Sequence, residues 1–180
     1  MFRRINILGG PGVGKSTMAA RVFSDMKSSG WEIELVQEKI KEWVYDGIYP
    51  KSFDQFYIFA QQLHREDRIL KSENTIIITD SPIFLTTSYA EHGKCTGSRQ
   101  MIEIAREFER KYPSINVIIK RQFDYNKNAR YHSEEEAREM DVYIYRHVGV
   151  QYGIVPTIIT SVDGLYEIID KEVNGRQAAG

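Results

Sequence analysis

The amino-acid sequence predicts an α/β protein with a five-stranded parallel sheet and helices on both of its faces. Short apolar runs alternate along the chain with longer segments of helical periodicity, the order expected when a crossover helix follows each strand. The apolar runs are continuous and lack the polar–apolar alternation of a half-exposed strand, which indicates strands buried on both faces. Right-handed crossovers then give a doubly wound arrangement.

The predicted elements follow one another without repeats or low-complexity linkers. Strands are expected at residues 5–8, 33–36, 75–79, 115–119 and 156–160. Helices are expected at residues 15–28, 39–46, 52–72, 83–92, 98–111, 134–151 and 163–173. Ser52, Ser98 and Ser133 precede helical runs as expected N-caps, and Gly30 follows the first helix at the C′ position that glycine favours.

Length and composition narrow the class of protein. The chain of 180 residues is expected to form a single domain over residues 1–174 with a flexible tail over residues 175–180. A net charge of −1 provides no overall basic field that would attract duplex nucleic acid or anionic lipid. The single cysteine, Cys95, excludes an internal disulfide, and the first strand begins too early to leave room for a signal peptide. A cytoplasmic protein is the expectation, without a membrane span.

A glycine-rich motif follows the first predicted strand. Residues 9–16 read Gly-Gly-Pro-Gly-Val-Gly-Lys-Ser and match the pattern G-x-x-x-x-G-K-[ST] of the phosphate-binding P-loop. Glycines let backbone amides curl around a polyphosphate, and the following helix N-terminus adds partial positive charge. The motif predicts the three-layer sandwich of P-loop NTPases. It also predicts an ATP site at Gly10, Gly12, Val13, Gly14, Lys15, Ser16 and Thr17.

An aspartate directly follows the third predicted strand. Asp80 stands at the end of the apolar run at residues 75–79. In a P-loop protein such an aspartate lies beside the P-loop serine, so Ser16 and Asp80 are the predicted Mg²⁺ ligands, with Asp80 also a candidate base. The alternative is that Asp80 caps the helix that begins after Ser81 and Pro82.

A glutamate stands in the equivalent place after the second strand. Glu38 is expected to face the γ-phosphate from the acceptor side, where it can accept a proton from an attacking hydroxyl or hold the acceptor. The alternative is a solvated glutamate at a helix start, favoured there by the helix dipole.

The helix predicted at residues 52–72 carries candidate acceptor residues. Gln55 and Gln62 are seven residues apart on one stripe, with Phe59 near it and Arg65 one turn beyond Gln62. Amides can read the edge of a base, and aromatic rings can stack on its face. Aromatic side chains on a helix are otherwise core residues, and that alternative stays open for Phe59.

A polar stretch at residues 121–133 follows the fourth strand and lacks a clean periodicity. A loop in this place overhangs the carboxyl ends of the strands, where open α/β sheets bind ligands, so it is a candidate lid. Phosphoryl transfer needs cations near the transferring group, and Arg130 is the first candidate for this role and Arg121 the second. The alternative is that both arginines are surface residues.

Together these motifs resemble a P-loop kinase family that is common in bacteriophage genomes. The family is similar to the nicotinamide riboside kinase domain and to deoxynucleoside kinases. The resemblance spans residues 3–170 and departs from the family at Ala129, where glycine is more common. It also departs from the deoxynucleoside kinases at Ser81-Pro82, where they place an arginine. The matching positions are Glu38 with Lys41 and Trp43, Gln55, Gln62 and Arg65, residues 79–82, Tyr125, Asn126 and Arg130, and Ala137 with Asp141.

The resemblance implies a kinase that uses ATP and Mg²⁺ and acts on a nucleoside-type acceptor. Lys15, Glu38, Asp80 and Arg130 would carry the catalysis, and Trp43 would join the acceptor site. Some phage members phosphorylate 5-hydroxymethyluracil within DNA during thymine hypermodification, so that acceptor is implied, and the location would then be the host cytoplasm. A free nucleoside or nucleoside monophosphate is the other acceptor.

The sequence bears on two classes of P-loop protein other than kinases. A GTPase-like switch needs an N-K-x-D stretch on a late strand, and the nearest candidate, at residues 126–129, lacks the aspartate. A remodelling ATPase needs more chain and a separate arginine-finger interface. A non-kinase P-loop ATPase nevertheless stays an alternative.

Overall fold

The computed structural model describes residues 2–38, 40–48, 50–51, 53–122 and 133–177. Its strands are β1 (Arg4–Leu8), β2 (Ile33–Val36), β3 (Ile76–Thr79), β4 (Ser114–Ile119) and β5 (Thr157–Ile159). Its helices are α1 (Lys15–Ser28), α2 (Ile40–Tyr45), α3 (Asp54–Leu70), α4 (Ile83–His92), α5 (Ser98–Lys111), α6 (Glu134–Tyr152) and α7 (Val162–Gln177).

All five strands form one parallel sheet in the order β2-β3-β1-β4-β5. From β1 the chain passes to β2 and then to β3, which lie on one side of β1 within the sheet, and afterwards to β4 and β5 on the other side. The winding direction therefore reverses at the central strand β1. In the register, Asn6 pairs with both Thr79 and Asn116. Open α/β sheets bind ligands at the carboxyl edge of such a point, and this is the edge that the glycine-rich motif follows.

Helices cover both faces of the sheet, which confirms the predicted three-layer sandwich. One core cluster joins the sheet to α3, α4, α5 and α6, with Phe59, Phe84 and Met101 fully buried. The second cluster, on the other face, includes Val22 of α1 and Leu165 of α7. Both clusters use side chains from the same strands, as a sheet buried on two faces requires.

The element boundaries agree closely with the predicted ones, with a few corrections. Helices α4 and α5 have the predicted bounds, and a capping box at Ser133 and Glu136 starts α6. The expectation for Ser98 is wrong, because Gly97 is the N-cap of α5 and Ser98 is its first residue. Helix α7 continues to Gln177, past the predicted helix end at residue 173. Ser52 and most of the candidate lid, at residues 123–132, lie outside the described residues.

No helix in the described parts of the chain is long and apolar enough to cross a lipid bilayer.

A buried charged cluster anchors β1 to α3 and α5. Arg4 is fully buried and pairs with Glu66 at 3.3 Å and with Glu109, and its Nε donates to the carbonyl of Tyr112 at 2.8 Å. Burial raises the pKa of Glu66 above its ordinary 4.5, and the Arg4 guanidinium opposes that rise. The positive charge of Arg4 therefore offsets the free-energy cost of burying the Glu66 carboxylate.

We expect Arg4→Met to lower the free energy of unfolding by about 3 kcal/mol near pH 8, because it leaves Glu66 buried without its main cation. The loss should shrink toward pH 5.5. Without Arg4 the pKa of Glu66 rises further, so the folded state takes up a proton before the unfolded state does, and stability returns as pH falls. Denaturant titrations at both pH values measure this.

The matched control is Lys27→Met, which removes an exposed pair with Glu34 and should cost less than about 0.5 kcal/mol at either pH. A loss for Arg4→Met that is the same at both pH values would contradict the assigned role of Glu66.

Candidate functional site

The P-loop joins the carboxyl end of the central strand β1 to the N-terminus of α1. Gly9, Gly12 and Gly14 all have positive φ angles, of 138°, 77° and 97°. Gly14 is the N-cap of α1 in a left-handed conformation that a residue with a Cβ rarely adopts, and it turns the chain into the helix. The loop thus brings its amides and the positive end of α1 to one place, as binding of a phosphate requires.

Lys15 is the first residue of α1, and its side chain folds back over the loop. The ammonium group donates a hydrogen bond to the carbonyl oxygen of Gly10 at 2.9 Å. The cation therefore lies along the P-loop, where it can reach a phosphate by small torsional changes. Ser16 follows in the first turn of the same helix.

Asp80 lies at the end of β3, next to β1 in the sheet. The residue is 1% exposed, and its Oδ1 accepts the backbone N–H of Glu38 at 3.0 Å. The N-cap residue of α4 is Pro82, two positions further on. Because β1 and β3 are adjacent and parallel, Asp80 and the P-loop start from the same edge of the sheet.

The donor set at this edge fits Mg²⁺. Ser16 offers a hydroxyl and Asp80 a carboxylate, both of which are hard oxygen ligands. Mg²⁺ typically takes one or two protein oxygens and completes its octahedron with water and substrate phosphates. These two residues would therefore hold the ion together with a bound nucleotide.

Glu38 links the phosphate side of the site to α3. It follows β2, which pairs with β3, and it is half-buried. Its amide is bound by Asp80, and the carbonyl of the preceding residue, Gln37, accepts a hydrogen bond from Arg65 of α3 at 3.1 Å. Glu38 is thus held from both sides at the carboxyl edge.

The candidate acceptor residues on α3 lie at different depths. Gln55, in the first turn, is partly exposed, whereas Phe59 is 1% exposed and belongs to the core cluster. Gln62 is also buried, and its amide nitrogen donates to Glu66 at 2.9 Å and to Thr79 at 3.4 Å. Of these three side chains, only that of Gln55 is partly exposed.

Aromatic side chains with exposed area lie on α2 and around the start of α3, and we call the surface that comprises Trp43, Phe53, Gln55, Phe56 and Tyr57 the mouth. Trp43 of α2 is half-buried and stacks on Tyr57 of α3, with ring centroids 6.1 Å apart and planes inclined by 22°. Tyr57 is 51% exposed, and neighbouring Phe53 and Phe56 are exposed as well. The sequence pattern does not indicate the contact of Trp43 with Tyr57, because helical spacing alone does not show which aromatic residue faces a neighbouring short helix.

The candidate lid segment contains two candidate arginines, Arg121 and Arg130. Arg130 lies outside the described residues. Arg121 directly follows Lys120 after β4, and its side chain is 5% exposed in an ion pair with Asp141 of α6 at 2.8 Å. It also donates to the carbonyl of Pro11 in the P-loop at 2.9 Å. The Arg121 side chain is therefore hydrogen-bonded to the backbone of the P-loop, and Arg121 is not a free surface residue.

A parallel sheet with a P-loop after its central strand, and an acidic residue on the adjacent strand, defines a protein of the P-loop NTPase type. The chain belongs to the AAA domain family, whose model matches residues 4–163. No curated protein matches the chain.

Three solved structures share the fold at low sequence identity. The NadR protein in complex with NR has a TM-score of 0.66 and 15% identity over 88% of this chain, which spans 45% of the NadR chain. Thymidylate kinase from Candida albicans has a TM-score of 0.56 and 14% identity over 96% of this chain and 93% of its own. Deoxyadenosine kinase from M. mycoides with bound dATP has a TM-score of 0.53 and 16% identity over 95% of this chain and 99% of its own. The chain thus shares its fold with these three proteins, two of which are kinases.

Proposed function

We propose that the protein is a kinase that uses ATP and Mg²⁺ and transfers the γ-phosphate to a hydroxyl of a nucleoside-type acceptor. The observation that carries this proposal is the placement of Glu38. Asp80 binds its amide beside the P-loop, and Arg65 binds the adjoining Gln37 carbonyl from α3. These contacts hold the backbone at Glu38 at the edge of the sheet from which the P-loop also starts, and the neighbouring helices α2 and α3 carry an amide and aromatic rings, which are groups suited to a base.

In the proposed reaction the acceptor oxygen forms a bond to the γ-phosphorus. The bond from that phosphorus to the β–γ bridging oxygen breaks, and ADP leaves. Glu38 accepts the proton of the acceptor hydroxyl, and Asp80 is the other candidate for this step. Lys15 and the P-loop amides stabilise the charge that develops on the phosphate oxygens.

Further charge stabilisation would come from groups beyond the P-loop. Mg²⁺, held by Ser16 and Asp80, would offset negative charge on the β- and γ-phosphates. Arg130 would approach the γ-phosphate as an arginine supplied by the same chain, and Arg121 would support the P-loop side of the nucleotide.

For the acceptor, we place a free nucleoside or nucleoside monophosphate ahead of 5-hydroxymethyluracil within DNA. A flipped base in DNA needs cations at the rim of the pocket to bind the flanking phosphates. Two of the basic residues of α5 are poor candidates, because Arg106 donates hydrogen bonds to Glu103 and Gln151, and Lys111 pairs with Asp67.

The test is incubation of the protein with γ-labelled ATP and Mg²⁺ against three acceptors in parallel: free nucleosides, nucleoside monophosphates and DNA that contains 5-hydroxymethyluracil. Label in a nucleoside or its monophosphate is the expected result. Label in the DNA would support the kinase and reassign its acceptor. Label released only as free phosphate, with every acceptor, would identify a non-kinase ATPase and overturn the proposal.

We expect Glu38→Gln to lower turnover about 100-fold at saturating ATP, because the amide cannot accept the acceptor proton. ATP affinity should stay the same, since the amide N–H that Asp80 binds is retained. The matched control is Glu34→Gln on the exposed side of β2, which should leave turnover unchanged. Unchanged turnover in Glu38→Gln would transfer the role of the base to Asp80.

A further inference from the structure

Asp141 of α6 is the point at which three parts of the chain meet. Its Oδ1 accepts the backbone N–H of Gly10 at 2.6 Å and a guanidinium hydrogen bond from Arg121 at 3.2 Å. Its Oδ2 accepts from the Arg121 Nε at 2.8 Å. Arg121 in turn donates to the carbonyl of Pro11. One carboxylate and one guanidinium thus bind two consecutive residues of the P-loop.

The packing at this junction is close. A Cβ on Gly10 would lie 2.6 Å from Asp141 Oδ1 and 2.7 Å from the carbonyl oxygen of Ala137 on α6. Such distances are far shorter than van der Waals contact, so only glycine fits here while α6 keeps its place. The first turn of the P-loop is therefore pressed against α6 as well as hydrogen-bonded to it.

We propose that Asp141 is a positioning residue for the P-loop, which sets the conformation that binds nucleotide without touching the nucleotide itself. This inference rests on the proposed nucleotide-binding function. A loop with glycines at positions 9, 10, 12 and 14 has many accessible conformations, and holding it in one of them before binding lowers the entropic cost of association.

The ion pair with Arg121 gives Asp141 a second property that the role requires. A lone carboxylate beside the P-loop would repel a polyphosphate. The guanidinium on the same carboxylate cancels that charge, so the Gly10 amide keeps a strong acceptor at no electrostatic cost to the nucleotide. The carboxylate must therefore stand at position 141, where it can accept the Gly10 N–H, and the guanidinium at position 121, where it can neutralise the carboxylate.

The test compares Asp141→Leu, Asp141→Asn and the exchange variant Arg121→Asp/Asp141→Arg with the natural protein. Leucine removes all three hydrogen bonds that Asp141 accepts, asparagine retains an oxygen for the Gly10 amide, and the exchange retains an ion pair but leaves Gly10 without its acceptor. The matched control is Glu134→Gln, which breaks an exposed ion pair with Arg138 on the same helix. Calorimetry measures the dissociation constant of Mg-ATP, and hydrogen exchange without nucleotide measures protection of the Gly10 amide.

We expect Asp141→Leu to weaken Mg-ATP binding about tenfold or more and to speed exchange of the Gly10 amide by a similar factor. The asparagine variant should show smaller changes in both, the exchange variant should fail to restore either, and the control should match the natural protein. Thermal unfolding identifies the variants that are folded. If Asp141→Leu does not fold, the asparagine variant and the exchange variant decide the question.

Unchanged affinity and unchanged Gly10 protection in a folded Asp141→Leu protein would overturn the proposal. Full recovery in the exchange variant would also overturn it, because an ion pair alone would then suffice. If the natural protein binds no Mg-ATP, the proposed function fails, whereas hydrogen exchange at Gly10 still tests the positioning role.

Discussion

Replacing Lys15 by alanine is expected to lower phosphoryl transfer about 100-fold or more. The ammonium group is the P-loop cation, and it lies 2.9 Å from the Gly10 carbonyl, ready to exchange that oxygen for a phosphate oxygen. A charged group that stabilises the charge developing in the transition state has a large effect on rate, because water molecules in its place would have to reorient as that charge develops.

The measurement is turnover at saturating ATP together with the dissociation constant of Mg-ATP. The matched control is Arg21→Ala, an exposed cation on the same helix that pairs loosely with Asp25. It should change neither quantity. Label transfer by the Lys15→Ala protein at the natural rate would show that the P-loop is not the phosphate site.

The second large effect is expected for Asp80→Asn, with turnover reduced about 100-fold at saturating ATP. The amide keeps an oxygen that can accept the Glu38 N–H, so the fold of the strand ends should persist. What it loses is the negative charge that would hold Mg²⁺. A higher Mg²⁺ concentration should recover part of the lost turnover, because it compensates for weaker binding of the ion.

Steady-state rates across a Mg²⁺ titration measure this effect. Asp67→Asn is the control, since Asp67 pairs with Lys71 and Lys111 away from the carboxyl edge. Natural turnover in the Asp80→Asn protein, at every Mg²⁺ concentration, would leave Asp80 with a structural role only.

The layered fold was predictable because each element has a strong local pattern. Strands buried on both faces read as unbroken apolar runs, and the helices between them are long enough to show their period. The P-loop is equally local, since its glycines and Lys15 are neighbours in the sequence. The wrong prediction for Ser98 also concerns a local feature, because the N-cap of α5 is Gly97 in a left-handed conformation and not the serine that follows it.

The depth of side chains along α3 was not predictable in the same way. Helical spacing correctly puts Gln55, Phe59 and Gln62 on one stripe, but the stripe passes from the mouth into the core. Only the packing of α3 against the sheet decides that Gln62 binds Glu66 and Thr79 instead of facing the mouth. The contact of Asp141 with Gly10 spans 131 residues of chain, and no local pattern in the sequence indicates it.

The two tryptophans of the chain lie in different surroundings. Trp31 packs against the core cluster beneath α1 and α7, whereas Trp43 stacks on Tyr57 at the mouth beside Glu38. Indole emission depends on local polarity and on nearby rings. A ligand that binds beside Trp43 is therefore expected to change the emission of Trp43 more than that of Trp31.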